Sequence, residues 1–409
     1  MVEKVVITGL GTVNGLGNTV DETWERILKG ITGLGPITLF DSSKHLVKVA
    51  CEAKNFDPTL YVDAREMRRR DRYELFSVAA VAQAIKDSGL EITEKNAPRV
   101  GTIISAAIGG ITSLEAGVLE IDKGGPRRAS PFLIPMLMPN GAAGLAGIDT
   151  GAKGPALSVA SACASGQDGI GVAWMMLRAG VMDAAIAGAA EAAITMTSVA
   201  AFDRMGAMSR RTEGTPSPFD ASRDGLVIGE GAAIMILETE SHAKKRGAKI
   251  LAELAGYAAS ADAYHVTAPM ESGAGGSQAM RNALDSARVN INEVSYINAH
   301  GTGTMLNDLS ETRAIKSVFG EQAYKVPVSS TKSMTGHMMG ATGALEALFC
   351  TLAIRDGVLP PTINYVTPDP ECDLDYVPNE ARKANVEVAM TNALGFGGHN
   401  AVLVIRKYR

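Results

Sequence analysis

Apolar and polar positions along the chain follow two alternating rhythms. Short apolar runs at residues 5–9, 100–105, 157–160, 184–187, 294–297 and 326–330 read as core strands. Longer stretches of helical spacing lie between them. One runs over 165–179 and stops at Gly180. Another opens at Thr19, where Glu22 completes a capping-box pattern, and ends at Gly30. This alternation predicts an α/β fold with central sheets covered by helices.

The order of elements also repeats. A glycine turn and apolar strand at 229–237 return at 397–405, an offset of 168. The strand and turn at 158–163 return at 327–332, an offset of 169. Each of these is followed by a helix, ending in Leu-Arg-Ala-Gly180 and Ile-Arg-Asp-Gly357. Nearly equal offsets in the same order predict a duplicated fold, with halves 1–250 and 251–409 divided after a charged helix at 241–249. At 409 residues the chain also exceeds the ~250–300 at which a single core stops growing.

Composition narrows the function classes. The 44 glycines are more than the usual ~7% and point to tight turns and close backbone contacts. Aromatic residues, at 5%, argue against a base-stacking surface. With 39 Lys and Arg against 44 Asp and Glu, the net charge of −5 gives no general attraction to nucleic acid or to an anionic membrane. No apolar run reaches the ~18 residues of a membrane span. Residues 1–9 lack the basic, apolar and small zones of a signal peptide. Cys51, Cys163, Cys350 and Cys372 are too scattered for a disulfide scaffold or a CxxC metal site. The expectation is a reduced, cytoplasmic protein with no nucleic-acid or membrane partner.

Cys163 lies between small residues where a strand gives way to a helix. Unpaired N–H groups and the helix dipole at such a turn favour a thiolate, and the small neighbours allow a nucleophile elbow. A small buried apolar side chain is the competing reading. His300, in Asn298-Ala-His-Gly-Thr-Gly-Thr304, and His337 both follow predicted strands, where α/β folds place their sites. Thr302 and Thr304 add hydroxyls for an amide-bearing ligand. Zinc on Cys163, His300 and His337 is an alternative. The ligand types fit, but spacings of 137 and 37 residues carry no zinc-motif signature. Gly9 to Gly15 only loosely resembles a phosphate loop. Glu346 sits in apolar company, which predicts burial and pairing with Lys332 near His337. Phe396, between glycines, reads as a gate whose N–H can meet a substrate oxygen, or as a packed ring in a hairpin. His399 reads as structural. The arginine runs at 65–72 and 127–128 are solvated helix faces or a docking patch for an acidic protein.

Together these motifs resemble the elongating 3-oxoacyl-acyl-carrier-protein synthases, or synthase II, along essentially the whole chain. The resemblance rests on Val6-Ile-Thr-Gly-Leu-Gly11, the Cys163 elbow, Ala187-Gly-Ala-Ala-Glu191, Phe219-Asp-Ala-Ser-Arg-Asp-Gly225, the two histidine motifs and Gly395-Phe-Gly-Gly398. It implies a thiolase fold, two duplicated α/β halves layered α-β-α-β-α, as a homodimer. It also implies decarboxylative condensation of acyl with malonyl carrier protein. Cys163 would carry the acyl group and His300 and His337 would hold the malonyl thioester. Lys332 and Glu346 would support His337, and the N–H groups of Cys163 and Phe396 would form an oxyanion hole. Ile108 and Phe202 would line the acyl pocket, and Thr302 and Thr304 would hold the pantetheine arm. Arg65, Arg68, Arg69, Arg127 and Arg128 would meet the acyl carrier protein. No cofactor is implied beyond the phosphopantetheine the carrier brings, although a monovalent cation near Asn298, Glu346 and Asn392 is a family-level expectation. Departures include Ser161 for the usual Thr, Gly206 for a basic residue, Leu226 for an aromatic, Met305 for Pro and Asn307 for Gly. Other readings are a polyketide ketosynthase with the same site, a non-condensing partner of the carrier protein, and a thioester hydrolase.

Overall fold

The computed structural model describes residues 3–409, so the first two residues of the N-terminal stretch lie outside it. Ten strands among the described residues form one sheet. They are β1 (Val5–Asn14), β2 (Val100–Ser105), β3 (Ala156–Leu157), β4 (Ala184–Glu191), β5 (Gly231–Thr239), β6 (Ala252–Ala261), β7 (Tyr296–Asn298), β8 (Val328–Ser329), β9 (Val388–Gly395) and β10 (His399–Arg406). Their order across the sheet is β8-β7-β9-β10-β6-β1-β5-β4-β2-β3. Each set of five therefore has the same order counted from its own edge. The directions repeat too. β2 is parallel to β3 and β4, and β7 is parallel to β8 and β9. β5 is antiparallel to β1 and β4, and β10 is antiparallel to β6 and β9. The two sets join where Val5, Val6 and Ile7 pair with Leu254, Glu253 and Ala252.

Helices that cover the sheet include α1 (Arg72–Ser88), α2 (Ser165–Arg178), α3 (Ala274–Ala287), α4 (Met305–Phe319) and α5 (Thr342–Asp356). Side chains alternate across a strand, so successive residues choose different layers. Ile103 of β2 and Leu403 of β10 point inward, into one cluster with Ile170 and Trp174 of α2 and Leu345 and Leu348 of α5. Their neighbours point outward. Ile104 meets Phe76 of α1, and Val402 and Val404 join Met280 of α3 and Ile315 of α4. Helix, sheet, paired central helices, sheet and helix make five layers.

Several sequence expectations shift. The glycines after residue 8 build no phosphate loop but lie inside β1 against α1. A Cβ at Gly11 would stand 2.0 Å from the Ala80 carbonyl oxygen, and one at Gly9 2.4 Å from that of Ala84. The run at 157–160 is not a buried strand. β3 has two residues, both exposed, at one edge of the sheet. β7 and β8 are short because the chain leaves the sheet early to build the loops carrying His300 and Lys332. The charged helix at 241–249 is Glu240–Lys245. No helix of the described residues is long and apolar enough to cross a membrane.

Candidate active site

Between β3 and α2 the chain turns through Ala162, whose φ of 51° lies in the left-handed region. A residue with a Cβ is strained there, and two hydrogen bonds of Ser165 brace it. Ser165 Oγ donates to the Ala162 carbonyl at 2.6 Å and accepts the Ser161 N–H at 2.9 Å. The turn presents Cys163 to a cavity of about 260 Å³. His300 reaches the same cavity from the loop after β7, and His337 from the loop after a short helix, Lys332–Thr335. Cys163 Sγ and the ring nitrogens of both histidines lie within 4.8 Å of one another, and all three residues are buried. His337 Nε2 is 3.2 Å from Sγ. The two imidazole rings meet edge to face at 5.4 Å.

The electrostatics correct one expectation. Burial pushes the Cys163 thiol up to about 11, against the pull of the Phe396 N–H and the Lys332 charge. Desolvation outweighs the helix terminus, so the resting sulfur is a thiol. Burial, reinforced by Lys332, holds the His337 imidazole well below its usual range. His300 is lowered by burial, then by Lys332 and by its neighbour His337. Both rings are neutral at pH 7. The His337 tautomer follows from its partners. The Met339 N–H donates to Nδ1 at 3.1 Å and Thr342 Oγ1 lies 3.0 Å from it, so the ring hydrogen is on Nε2 and points at the sulfur.

Lys332 and Glu346 pair as expected, at 2.5 Å and each about 1% exposed. They do not orient His337 by contact, because Thr342 and Met339 do that. The pair reaches the imidazoles through charge. Burial raises the Glu346 carboxyl, with Lys332 pulling it back. Among the buried oxygens without a hydrogen-bond partner are Asn298 Oδ1, Asn392 Oδ1 and Glu346 Oε2. Asn298 pairs across the sheet with Thr391, next to Asn392. Orphaned oxygen donors of this kind fit a monovalent cation.

Thr302 and Thr304 line the cavity with their hydroxyl oxygens 2.9 Å apart, so Met305 and Asn307 leave that pair intact. Phe202 and Phe396 line it too, their rings 6.3 Å apart. Ile108 does not line it. Its side chain packs with Phe202 and Met339 in an adjoining apolar cluster, and its N–H is held by Glu191. Arg65, Arg68, Arg127 and Arg128 are exposed and lie away from the cavity. Arg69 is half-buried, bonded to Glu66 and stacked over Phe132. Arg70 and Arg72 of the same run turn inward to Asp149 and Glu230 and belong to no surface patch.

Sequence reasoning missed two carboxylates. Glu311 of α4 accepts the His300 and Gly301 N–H groups, each at 2.8 Å, and the Asn392 amide. Glu191 accepts N–H groups from Ala107, Ile108, Gly109 and Gly340, tying the Ile108 turn to the one after His337. The apolar company that exposed Glu346 is absent around Glu311, which stands between Ser310 and Thr312. Cys163, His300 and His337 also form a donor set for a metal. A tetrahedral zinc would hold such ligands roughly 3.3–3.8 Å apart and needs a lone pair on each nitrogen. The 4.8 Å spread and the hydrogen on His337 Nε2 fit it poorly.

Comparison with known proteins agrees with this geometry. Residues 2–243 match the family described as Beta-ketoacyl synthase, N-terminal domain, and residues 251–366 match its C-terminal domain. The chain is 48% identical over 408 residues to a 3-oxoacyl-[acyl-carrier-protein] synthase 2 of Staphylococcus aureus (strain COL), covering 99% of both chains. It is 47% identical over 411 residues to the protein of that name from Synechocystis sp., covering 100% of this chain and 99% of the relative. Among solved structures, a chain from a type II polyketide ketosynthase bound to its acyl carrier protein superposes with a TM-score of 0.93 at 35% identity, with full coverage of both chains. A beta-ketoacyl synthase from Burkholderia phymatum STM815 gives 0.92 at 33%, also with full coverage. With both halves matched and relatives nearly half identical from end to end, the chain belongs to the beta-ketoacyl synthase family of acyl-transferring condensing enzymes.

Proposed function

We propose that this chain joins an acyl group on acyl carrier protein to malonyl carrier protein, releasing CO₂ and forming a 3-oxoacyl carrier protein in fatty-acid elongation. The observation carrying this reading is the convergence of one thiol and two neutral imidazoles within 4.8 Å in a buried cavity. Identity of 47–48% to 3-oxoacyl-[acyl-carrier-protein] synthases supports the substrate class. The polyketide neighbours, at 35%, support the shared scaffold.

In the first half-reaction Cys163 Sγ attacks the acyl thioester. The bond to the carrier's sulfur breaks, and the cysteine proton leaves on that sulfur. The N–H groups of Phe396 and Cys163, which pull the thiol down from beside it, are the donors for the oxyanion. One such donor is typically worth ~3 kcal/mol. In the second, the malonyl thioester oxygen accepts from His337 Nε2–H and from the His300 ring. Loss of CO₂ leaves an enolate between two neutral donors. Neutral imidazoles stabilise its oxygen without a labile extra proton to quench its carbon. That carbon attacks the acyl group, the bond to Cys163 breaks, and the departing thiolate takes one proton from solvent to restore the thiol. Lys332 and Glu346 set the charge around the pair. Thr302 and Thr304 hold the pantetheine amides, and Phe202 and Phe396 enclose the acyl chain. A monovalent cation held by Asn298, Glu346 and Asn392 would neutralise their oxygens and stiffen the strand ends beneath His300.

Acyl carrier protein is the macromolecular partner in this reading, drawn by Arg65, Arg68, Arg127 and Arg128, with Arg69 on its edge. A homodimer is supported by the exposed edge strand β3, which carries Leu157, and by the exposed apolar side chains Leu114, Val118, Ile134 and Ile148. Residues 1–250 and 251–409 act as two halves that each bring part of the site, and the reaction belongs in the cytoplasm. Intact-mass analysis with a ladder of acyl carrier-protein thioesters tests the reading. Expected are an acyl adduct that Cys163→Ala abolishes and, on adding malonyl carrier protein, a 3-oxoacyl product. Free acid in place of that product would establish a hydrolase, and no adduct at all would refute the nucleophile.

A further inference from the structure

A second buried polar cluster lies beside the elbow, outside the lining of the cavity. Asp168, in the first turn of α2, is 8% exposed, and both of its carboxylate oxygens are taken by hydroxyl donors. The Ser161 hydroxyl donates to Oδ2 in a very short bond, and the Tyr257 hydroxyl donates to Oδ1 at 2.7 Å. Among the described residues no lysine or arginine pairs with this carboxylate. A buried carboxylate is costly unless its donors are well placed, so the two hydroxyls are tightly specified.

Each donor carries structural information. Ser161 directly precedes Ala162, the strained residue of the elbow, and its carbonyl accepts the Ala164 N–H at 3.1 Å. Holding the Ser161 side chain therefore fixes one end of the turn, while Ser165 holds the other. Tyr257 comes from β6, in the other half of the fold. Its ring lies on Gly171, one turn along α2, where a Cβ would meet a ring carbon at 2.4 Å. Its backbone is clasped by Ser286 Oγ of α3 at 3.1 Å. His300 and His337 also come from the second half. Tyr257, Asp168 and Ser161 thus form a strut from that half to the turn bearing the sulfur.

We propose that Asp168 is a positioning residue that fixes Cys163 against the two histidines by clamping Ser161, with Tyr257 anchoring the clamp across the halves. The inference rests on Cys163 being the acylated nucleophile. A misplacement of 1 Å in such a site can lower a rate about a hundredfold.

The test measures two rates per folded site, single-turnover acyl transfer from an acyl carrier-protein thioester and alkylation of Cys163 by iodoacetamide, beside thermal melting. Asp168→Asn and Ser161→Ala are each expected to slow acyl transfer about tenfold while the KM for the acyl carrier protein stays within about twofold. Their double variant should be no slower than either single, because both break one clamp. Ser161→Thr, which keeps the hydroxyl, should recover the rate lost in Ser161→Ala. Tyr257→Phe should give a smaller loss in the same direction, and it decides the matter if Asp168→Asn does not fold. Wild-type transfer rates in Ser161→Ala and Tyr257→Phe, or losses that multiply in the double variant, would overturn the proposal. Alkylation separates the two levels of inference. If condensation is absent but alkylation slows in these variants, the clamp stands and the proposed reaction fails.

Discussion

The Lys332–Glu346 pair allows a prediction with a definite asymmetry. Both side chains are about 1% exposed, so removing either leaves its partner in a desolvated site. The partners differ in how they can respond. Burial raises the Glu346 carboxyl and the Lys332 charge pulls it back down. In Lys332→Met that pull is gone, the carboxyl takes a proton, and the penalty is that of a neutral unpaired polar group, about 1–3 kcal/mol. In Glu346→Gln the buried Lys332 side chain faces an amide in place of its carboxylate, and a broken buried pair typically costs about 3–5 kcal/mol. For a chain of this length these translate to roughly 2 °C and 5 °C in melting temperature. The double variant should be more stable than Glu346→Gln alone, with a coupling of about 1 kcal/mol or more. A second readout moves in opposite directions. Lys332 pulls the Cys163 thiol down, so alkylation per folded site should slow in Lys332→Met and quicken in Glu346→Gln. A shift of about 1.4 kcal/mol would change the thiolate fraction tenfold. Equal destabilisation by the two single variants, or alkylation rates moving the same way, would refute this account of the pair.

Other outcomes follow from groups elsewhere. With its thiol at about 11, Cys163 should be alkylated about tenfold faster per pH unit from pH 7 to 10, and a plateau near pH 8.5 in the iodoacetamide profile would contradict the buried-thiol assignment. Glu238 is fully buried, and despite burial the bonds from Arg246, His242 and Thr8 hold it at about 2. Its folded value is depressed, so its contribution of about 3 kcal/mol is present above the unfolded value near ~4.3 and lost as pH falls through about 2. Glu238→Gln should therefore be less stable than wild type at pH 6 and equal to it below pH 2 in urea titrations. Arg68→Glu, with Arg65→Glu, should raise the KM for carrier-bound acyl groups several-fold, with the effect shrinking at high salt. An unchanged KM at low ionic strength would remove these side chains from the docking surface.

The site was legible in the sequence to different depths for different residues. Cys163, His300 and His337 were visible because each follows a strand and sits among glycines and small residues, a local signal. Glu346 was visible because apolar neighbours on a helix imply burial. Glu311 and Asp168 were not visible, because their partners are backbone N–H groups and hydroxyls brought in from other elements, and their polar or glycine neighbours do not mark them; Glu191, between Ala190 and Ala192, carried the apolar signal of burial, but its backbone partners come from distant turns. The place of Ile108 depends on the turn that Glu191 holds, which packs it with Phe202 and Met339 in the cluster adjoining the cavity.

What the chain determined by itself was the alternation of strands and helices, the doubling of that order, and the residue types at the strand ends. These depend on periodicity and on close neighbours, which the order of residues contains. Tertiary structure alone decided the distances and the protonation states. The thiol rests protonated because packing strips its water, a cost no local pattern records. The hydrogen on His337 Nε2 is set by an N–H two residues on and a hydroxyl from the next helix, which meet the ring only once the chain has folded.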